Sequence, residues 1–253
     1  MEQISKITEY LDNLLDSKNF KDASLNGLQV ESKTQDIALV AFAVDAGLSV
    51  LKQAIEAGAS LVIVHHGIFW GKEAAIRGPL RDKIELLLSS GCSLYASHLP
   101  LDAHPEVGNN YELARLLELK KLTPFFELDG RAIGCSGRLD NPASLDYFTA
   151  RLANLDGAIE PTIFKFGSDK VSKIGIITGS GSSALNEAKS MQLDLLISGE
   201  PKHEAYHTAK ELGINAIFAG HYATETVGPK ALMRKMQREL NIKTIFVDEG
   251  TGI

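Results

Sequence analysis

The sequence predicts an α/β protein of two interlinked lobes whose strands run mainly parallel, and three observations carry that expectation. Leu61-Val62-Ile63-Val64 is an unbroken run of branched apolar residues, as in a strand buried on both faces of a sheet covered by helices. A unit of helix, tight stop and short buried strand recurs four times. Each recurrence ends at a histidine or glutamate, at the carboxyl end of its strand, where open α/β sheets hold their ligands.

In chain order, Ile4, Ile7, Leu11, Leu14 and Leu15 fall at helical spacing and predict an amphipathic helix over residues 4–15. Asn26-Gly27-Leu28-Gln29-Val30 reads as a turn entering an extended segment. Ile37 to Val44 reads as a strand, with Asp45 at its end either capping a helix over residues 48–57 or facing a crevice. The four repeats follow. Residues 54–64 lead to His65-His66, 87–97 to His98, 188–198 to Gly199-Glu200, and 209–219 to Gly220-His221. Most of their helices stop at a glycine able to take the left-handed cap conformation. Around Thr123 to Thr162 the pattern changes, with Gly130, Gly134 and Gly137 interrupting short apolar pieces and a helix expected over residues 144–155. A second lobe is therefore expected over residues 126–219. Residues 1–125 and 220–253 would form the first lobe and carry most of the candidate metal ligands.

A chain of 253 residues, 44% hydrophobic and 23% charged, fits a soluble globular protein with a sizeable core. A formal charge of −6 supplies no electrostatic drive towards sequence-independent nucleic-acid binding. The opening residues lack the basic start and apolar run of a signal peptide, and no stretch reaches membrane-spanning length. A cytoplasmic location without membrane association is the expectation. Cys92 and Cys135 have no metal-knuckle or redox spacing and read as reduced, buried thiols.

Candidate chemistry gathers at strand ends. Neighbouring strand residues normally face opposite ways, but at the end of the 61–64 strand both His65 and His66 can turn into one crevice. The alternative for such a pair is one packed ring and one solvated ring. Asp102 lies four residues beyond His98, past a proline that is expected to hold it in a loop; it is a plausible carboxylate ligand or an ordinary cap. If a helix starts near His221, Glu225 shares its face. The turn Thr178-Gly179-Ser180-Gly181 lacks the spacing of a Walker or dinucleotide loop and reads as a tight strand-to-helix turn rather than a phosphate cradle.

The segments Asn26–Val30, Val64-His65-His66-Gly67-Ile68-Phe69-Trp70, His98-Leu99-Pro100-Leu101-Asp102 and Gly220-His221-Tyr222-Ala223-Thr224-Glu225, in that order, resemble the NIF-three-like family. Its bacterial members are often named GTP cyclohydrolase I type 2 homologues. The resemblance implies the two-lobed NIF-three-like fold, a hexameric ring of subunits, and a pair of divalent metals bound by His65, His66, Asp102, His221 and Glu225. Three imidazoles and two carboxylates suit Zn, Fe, Mn, Co or Ni. Asp102 and Glu225 are the candidates to bridge the two ions. His98 is expected as a supporting group or proton shuttle rather than a principal ligand. Glu200 and His203 are candidates to line the same cavity, and Tyr222 and His104 to contact substrate or simply to pack. The implied activity is hydrolysis of a small molecule, GTP or another phosphorylated compound, by water that the metals activate. Two alternatives are a metal-binding regulatory scaffold without turnover and a phosphoester hydrolase of nucleic-acid metabolism, the latter opposed by the acidic charge.

Overall fold

The computed structural model describes residues 1–253, and the chain divides into two compact units. The first comprises Met1–Leu101 with Pro229–Glu249, and the second Asp102–Gly228 with Gly250–Ile253. The chain begins with β1 (Glu2–Gln3), α1 (Ile4–Leu15), β2 (Gly27–Val30), β3 (Asp36–Ile37), β4 (Leu39–Asp45), α2 (Leu48–Glu56), β5 (Leu61–His66), α3 (Pro79–Ser90) and β6 (Ser93–Ala96). One helical turn, α4 (Leu99–Ala103), crosses the division. The second unit continues with α5 (Asn109–Leu116), β7 (Lys120–Leu128), β8 (Arg131–Ser144), α6 (Leu145–Leu152), β9 (Thr162–Phe164) and β10 (Lys170–Ile177). It ends with α7 (Leu185–Ser190), β11 (Leu195–Ser198), α8 (Ala205–Leu212), β12 (Asn215–Phe218) and α9 (His221–Glu225). Helix α10 (Val227–Leu240) and β13 (Lys243–Phe246) return the chain to the first unit.

The first unit is built on a five-stranded sheet in the order β13-β4-β5-β6-β2, parallel except for β2, which runs antiparallel to β6 at the edge. Ala41, Ala43, Val62, Val64, Leu94 and Ala96 form one apolar face of this sheet, packed with Val50, Leu51 and Ala54 of α2. Helix α1 buries Ile4, Ile7, Leu11 and Leu15, as its spacing predicts. The second unit is a six-stranded sheet in the order β7-β8-β10-β11-β12-β9. Its middle strands β10, β11 and β12 are parallel, and the outer strands are antiparallel. Phe148 and Leu152 of α6 pack into a core with Ile174, Ile176, Leu195, Ile197 and Ile217. The class is thus mixed α/β, with parallel pairing at the heart of each sheet.

All four repeats form as units: β5 and β6 lie side by side in the first sheet, β11 and β12 in the second. The stops before β5, β6 and β12 use Gly58, Gly91 and Gly213, all at positive φ. Before β11 the same place is taken by Gln192 at φ 56°, an L residue carrying the left-handed strain that glycine avoids.

The units divide elsewhere than the sequence suggests. Residues 102–125 and 220–228 belong to the second unit, not to a first lobe of 1–125 and 220–253. The cause is pairing. Strand β7 forms a long hairpin with β8, and α5 packs on β8, β10 and α9. The hairpin turns at Asp129-Gly130, both at positive φ, and this Asp-Gly pair is a hairpin signal in its own right.

No helix is long and apolar enough to cross a membrane. Both cysteines are free and buried, and burial pushes each thiol up to about 12. Reactivity follows the thiolate. A disulfide-exchange reagent at pH 8 should therefore modify neither cysteine in the folded protein and both in urea. Rapid native labelling would contradict this.

Candidate metal centre

In the first unit β5 runs through both histidines, yet their ring centroids lie only 4.5 Å apart. His98, two residues beyond β6, brings a third ring to 5.1 Å from His65 and 5.6 Å from His66. One ring nitrogen of each lies within 4.8 Å of the others, so these three side chains could hold a metal ion.

The ring orientations follow from the strands. His65 Nδ1 is 3.0 Å from the carbonyl oxygen of Ser97, in the chain just beyond neighbouring β6. His66 stands opposite Asp45 in the parallel β4–β5 register, and its Nδ1 is 2.8 Å from Asp45 Oδ1. His98 Nδ1 is 2.9 Å from Asp22 Oδ1. A carbonyl and a carboxylate only accept hydrogen bonds, so in each neutral ring Nδ1 carries the hydrogen and Nε2 the lone pair. This is how metal-binding histidines are set by their outer partners. Asp45 therefore does not cap α2; Gly47 occupies that position.

Asp22 is itself built in. Its carboxylate accepts from the backbone N–H groups of Ser24 and Leu99 and from Asn26 Nδ2, while Asn26 Oδ1 accepts from the His98 N–H. Burial opposes its charge, but the hydrogen bond and charge of His98, with Asn26 and Ser24, bring it down to about 2. The Asn26–Val30 segment has a second task. Gln29 Oε1 accepts from the Ile68 N–H, and its side chain lies over Gly67, where any Cβ would overlap it.

In the second unit Asp102 is buried on α4, a single helical turn rather than a loop. Pro100 falls in the first turn of α4, where a missing N–H breaks no helical bond. Asp102 Oδ1 accepts from Asn109 Nδ2 at 2.9 Å and from Thr178 Oγ1 at 3.2 Å. Asn110 joins the same unit together: its Nδ2 donates to the Asp102 and Ile133 carbonyls, and its Oδ1 accepts from the Thr178 N–H.

Helix α9 begins at His221 and ends at Glu225, so the two share a face as their spacing predicts. His221 Nδ1 lies 3.1 Å from Glu200 Oε1, and Nε2 3.2 Å from Glu225 Oε2. Burial would lower the His221 pKa, but hydrogen bonds and charge from Glu225 and Glu200 outweigh it and raise it to about 9. The field that holds a proton on this ring is one that favours a cation. The Thr178–Gly181 turn frames this acid group. Gly179 packs against the Glu225 carboxylate, and its carbonyl accepts from the Gly199 and Glu200 N–H groups.

A nitrogen-and-oxygen donor set of this kind, with its histidines oriented by oxygen acceptors, fits a borderline divalent cation. The model of the DUF34/NIF3 family (NGG1p interacting factor 3) matches residues 2–251. The chain belongs to the DUF34/NIF3 family. Proteins named GTP cyclohydrolase 1 type 2 homolog from Pyrococcus horikoshii and Deinococcus radiodurans are 44% and 41% identical to it over 248 residues. Those alignments cover 98% of this chain and 98% and 94% of the relatives. Among solved structures, TTHA1606 from Thermus thermophilus matches with a TM-score of 0.91 at 40% identity, over 99% of this chain and 100% of that one. The protein ybgI, described as of unknown function, matches with a TM-score of 0.91 at 32% identity and the same coverage.

In this DUF34/NIF3 protein the five sequence-predicted ligands divide by unit, His65 and His66 in the first, Asp102, His221 and Glu225 in the second. Tyr222 is buried against Gly157, which makes it a packing residue. His104 Nδ1 accepts from the Glu106 and Val107 N–H groups and shapes its turn. Glu200 holds His221, whereas His203 is exposed. Asp22, Asn109 and Asn110 carry no mark in the sequence that separates them from ordinary turn and cap residues.

Proposed function

We propose that His65, His66, Asp102, His221 and Glu225 hold two divalent cations, and that this DUF34/NIF3 protein is a hydrolase acting on a nucleotide or a related phosphorylated compound. The observation that carries this reading is shared by four histidines. His65, His66, His98 and His221 each keep Nδ1 against an oxygen of Ser97, Asp45, Asp22 or Glu200, respectively.

When bound, the cations would lower the pKa of water and polarise the bond under attack. The chain's own residues fix what surrounds that chemistry. Asp45 holds the His66 imidazole in one tautomer, Glu200 orients the His221 ring, and Asn109 and Thr178 hold one oxygen of Asp102. The name shared by the relatives makes GTP the first substrate to try. Water would add at C8 of its imidazole ring, and a second hydrolysis would release that carbon as formate. The hexameric ring belongs to the same proposal, and light scattering should give six times 27.4 kDa.

The test is metal analysis followed by product detection by mass spectrometry, with nucleotides and phosphoesters as substrates. Two equivalents of metal and metal-dependent turnover are expected in the wild type. Glu225→Ala and Asp102→Ala should each lose metal and cut turnover at least a hundredfold. Two bound equivalents with no turnover of any compound would overturn the hydrolase and leave a metal-binding scaffold.

A further inference from the structure

One cavity lies wholly within the first unit and is lined by none of the five candidate ligands. Its volume is about 560 Å³, in the range of small-molecule sites, and it is bounded by residues 22–25, Phe69 and residues 71–74. We infer that this cavity receives the base of a nucleotide, guanine above the others, and that Ser24, Lys72 and Glu73 read the edge of that base. The choice of a nucleotide rests on the hydrolase reading above, to which the cavity adds a place for the base.

Main-chain bonds set the distance between the walls. Ser24 and Trp70 face each other in an antiparallel bridge, and the Leu25 N–H donates to the Phe69 carbonyl at 3.0 Å. Gly71 then turns the loop at φ 58°, and the Lys72 N–H donates back to the Trp70 carbonyl at 2.7 Å. A Cβ on Gly71 would stand 3.1 Å from the Ala23 carbonyl oxygen, so a glycine is what allows the walls to approach this closely.

The lining suits a flat ring with polar edges. Ala23, Leu25, Phe69 and Ala74 supply apolar surface, and bases stack on aromatic side chains. Ser24 lines the same space, is 5% exposed, and carries a buried hydroxyl without a hydrogen-bond partner. Such an orphan in a packed fold asks for an explanation, and a rotation about χ1 lets a ligand in the cavity supply one.

A serine hydroxyl both donates and accepts, so it does not choose between bases. Lys72 and Glu73 do. Both line the cavity and are exposed; an ammonium only donates and a carboxylate only accepts. Guanine offers O6 and N7 as acceptors and its N2 amino group as a donor. Adenine puts a donor at the six position and has no N2 amino group. Asp22 ties the cavity to the histidines, since it lines the cavity and accepts from His98 Nδ1 at 2.9 Å. A base held here lies beside the strand ends of the first unit.

The experiment is calorimetric titration of the whole chain with guanosine, adenosine and uridine, which carry no phosphate and report on the base alone. Guanosine should bind, and the other two about tenfold more weakly. Ser24→Ala should weaken guanosine about fivefold while the urea midpoint stays at or above that of wild type, because the change removes an unpaired buried hydroxyl. Phe69→Leu keeps apolar bulk and should also lose about fivefold, through stacking. Glu73→Gln should narrow the gap between guanosine and adenosine. Ala74→Trp places a large ring at an exposed loop position that lines the cavity, and should abolish binding with an unchanged circular dichroism spectrum.

No heat from guanosine with the wild type up to about 1 mM would overturn the inference. If light scattering then gives Ala74→Trp a smaller mass than wild type, the face is a contact between copies of the chain. GTP turnover with an unchanged KM in Ala74→Trp would overturn the inference and spare the hydrolase. Guanosine binding that Ala74→Trp abolishes, in a protein that turns over no nucleotide, would support the cavity and overturn the hydrolase. Equal binding of the three nucleosides would overturn the reading of the edge by Lys72 and Glu73.

Discussion

Gly179→Ala should destabilise the protein by about 2–4 kcal/mol and displace the Glu225 carboxylate. Gly179 sits at φ 61°, and a Cβ there would collide with Glu225 Oε1 and lie 3.1 Å from His221 Nε2. The left-handed backbone alone costs an alanine about 1–2 kcal/mol. Forcing a group into a packed site adds about 1–3 kcal/mol. Gly130→Ala separates the two effects. Its φ is 84°, but nothing stands within 4 Å of its Cβ, so it should show the backbone cost only. Urea unfolding compares the pair, and metal titration follows Glu225. Equal unfolding midpoints for the two variants, with Gly179→Ala still binding a full metal complement, would show that the turn does not set the carboxylate.

Asn110→Ala is expected to cost about 3–5 kcal/mol, more than truncating an ordinary surface residue by a wide margin. The side chain is 1% exposed and joins three segments through the carbonyls of Asp102 and Ile133 and the N–H of Thr178. Leaving buried backbone groups without partners costs about 1–3 kcal/mol each, and partial relaxation keeps the three from adding fully. Asp102 and Thr178 both depend on this residue for position, so metal affinity should fall with stability. A variant that unfolds like the wild type and binds metal normally would mean that water replaces Asn110 without loss.

The sequence showed where the histidines would stand, and not what would hold them. The strand over residues 61–66 and the helix beginning at His221 are local patterns, so His65, His66 and the His221–Glu225 pair could be placed from spacing alone. Asp45 was ambiguous because a carboxylate shortly before a helix resembles a cap. Only the β4–β5 register sets it opposite His66. Asp22 is remoter still, 76 residues from the ring it orients. The boundary near residue 126 differed from the observed division for the same reason. A β7–β8 hairpin with positive φ at Lys121 and Phe126 breaks simple alternation, and its pairing, not its composition, decides which unit owns it. Glycine placement was legible at helix stops. Elsewhere, as at Gly67 and Gly179, it answered to side chains distant in sequence.

The most direct measurement is an anomalous-scattering map from crystals of the zinc-loaded protein. The account predicts two strong peaks per chain, ligated by His65, His66, Asp102, His221 and Glu225. Peaks confined to surface carboxylates, or none beside the paired histidines, would contradict it.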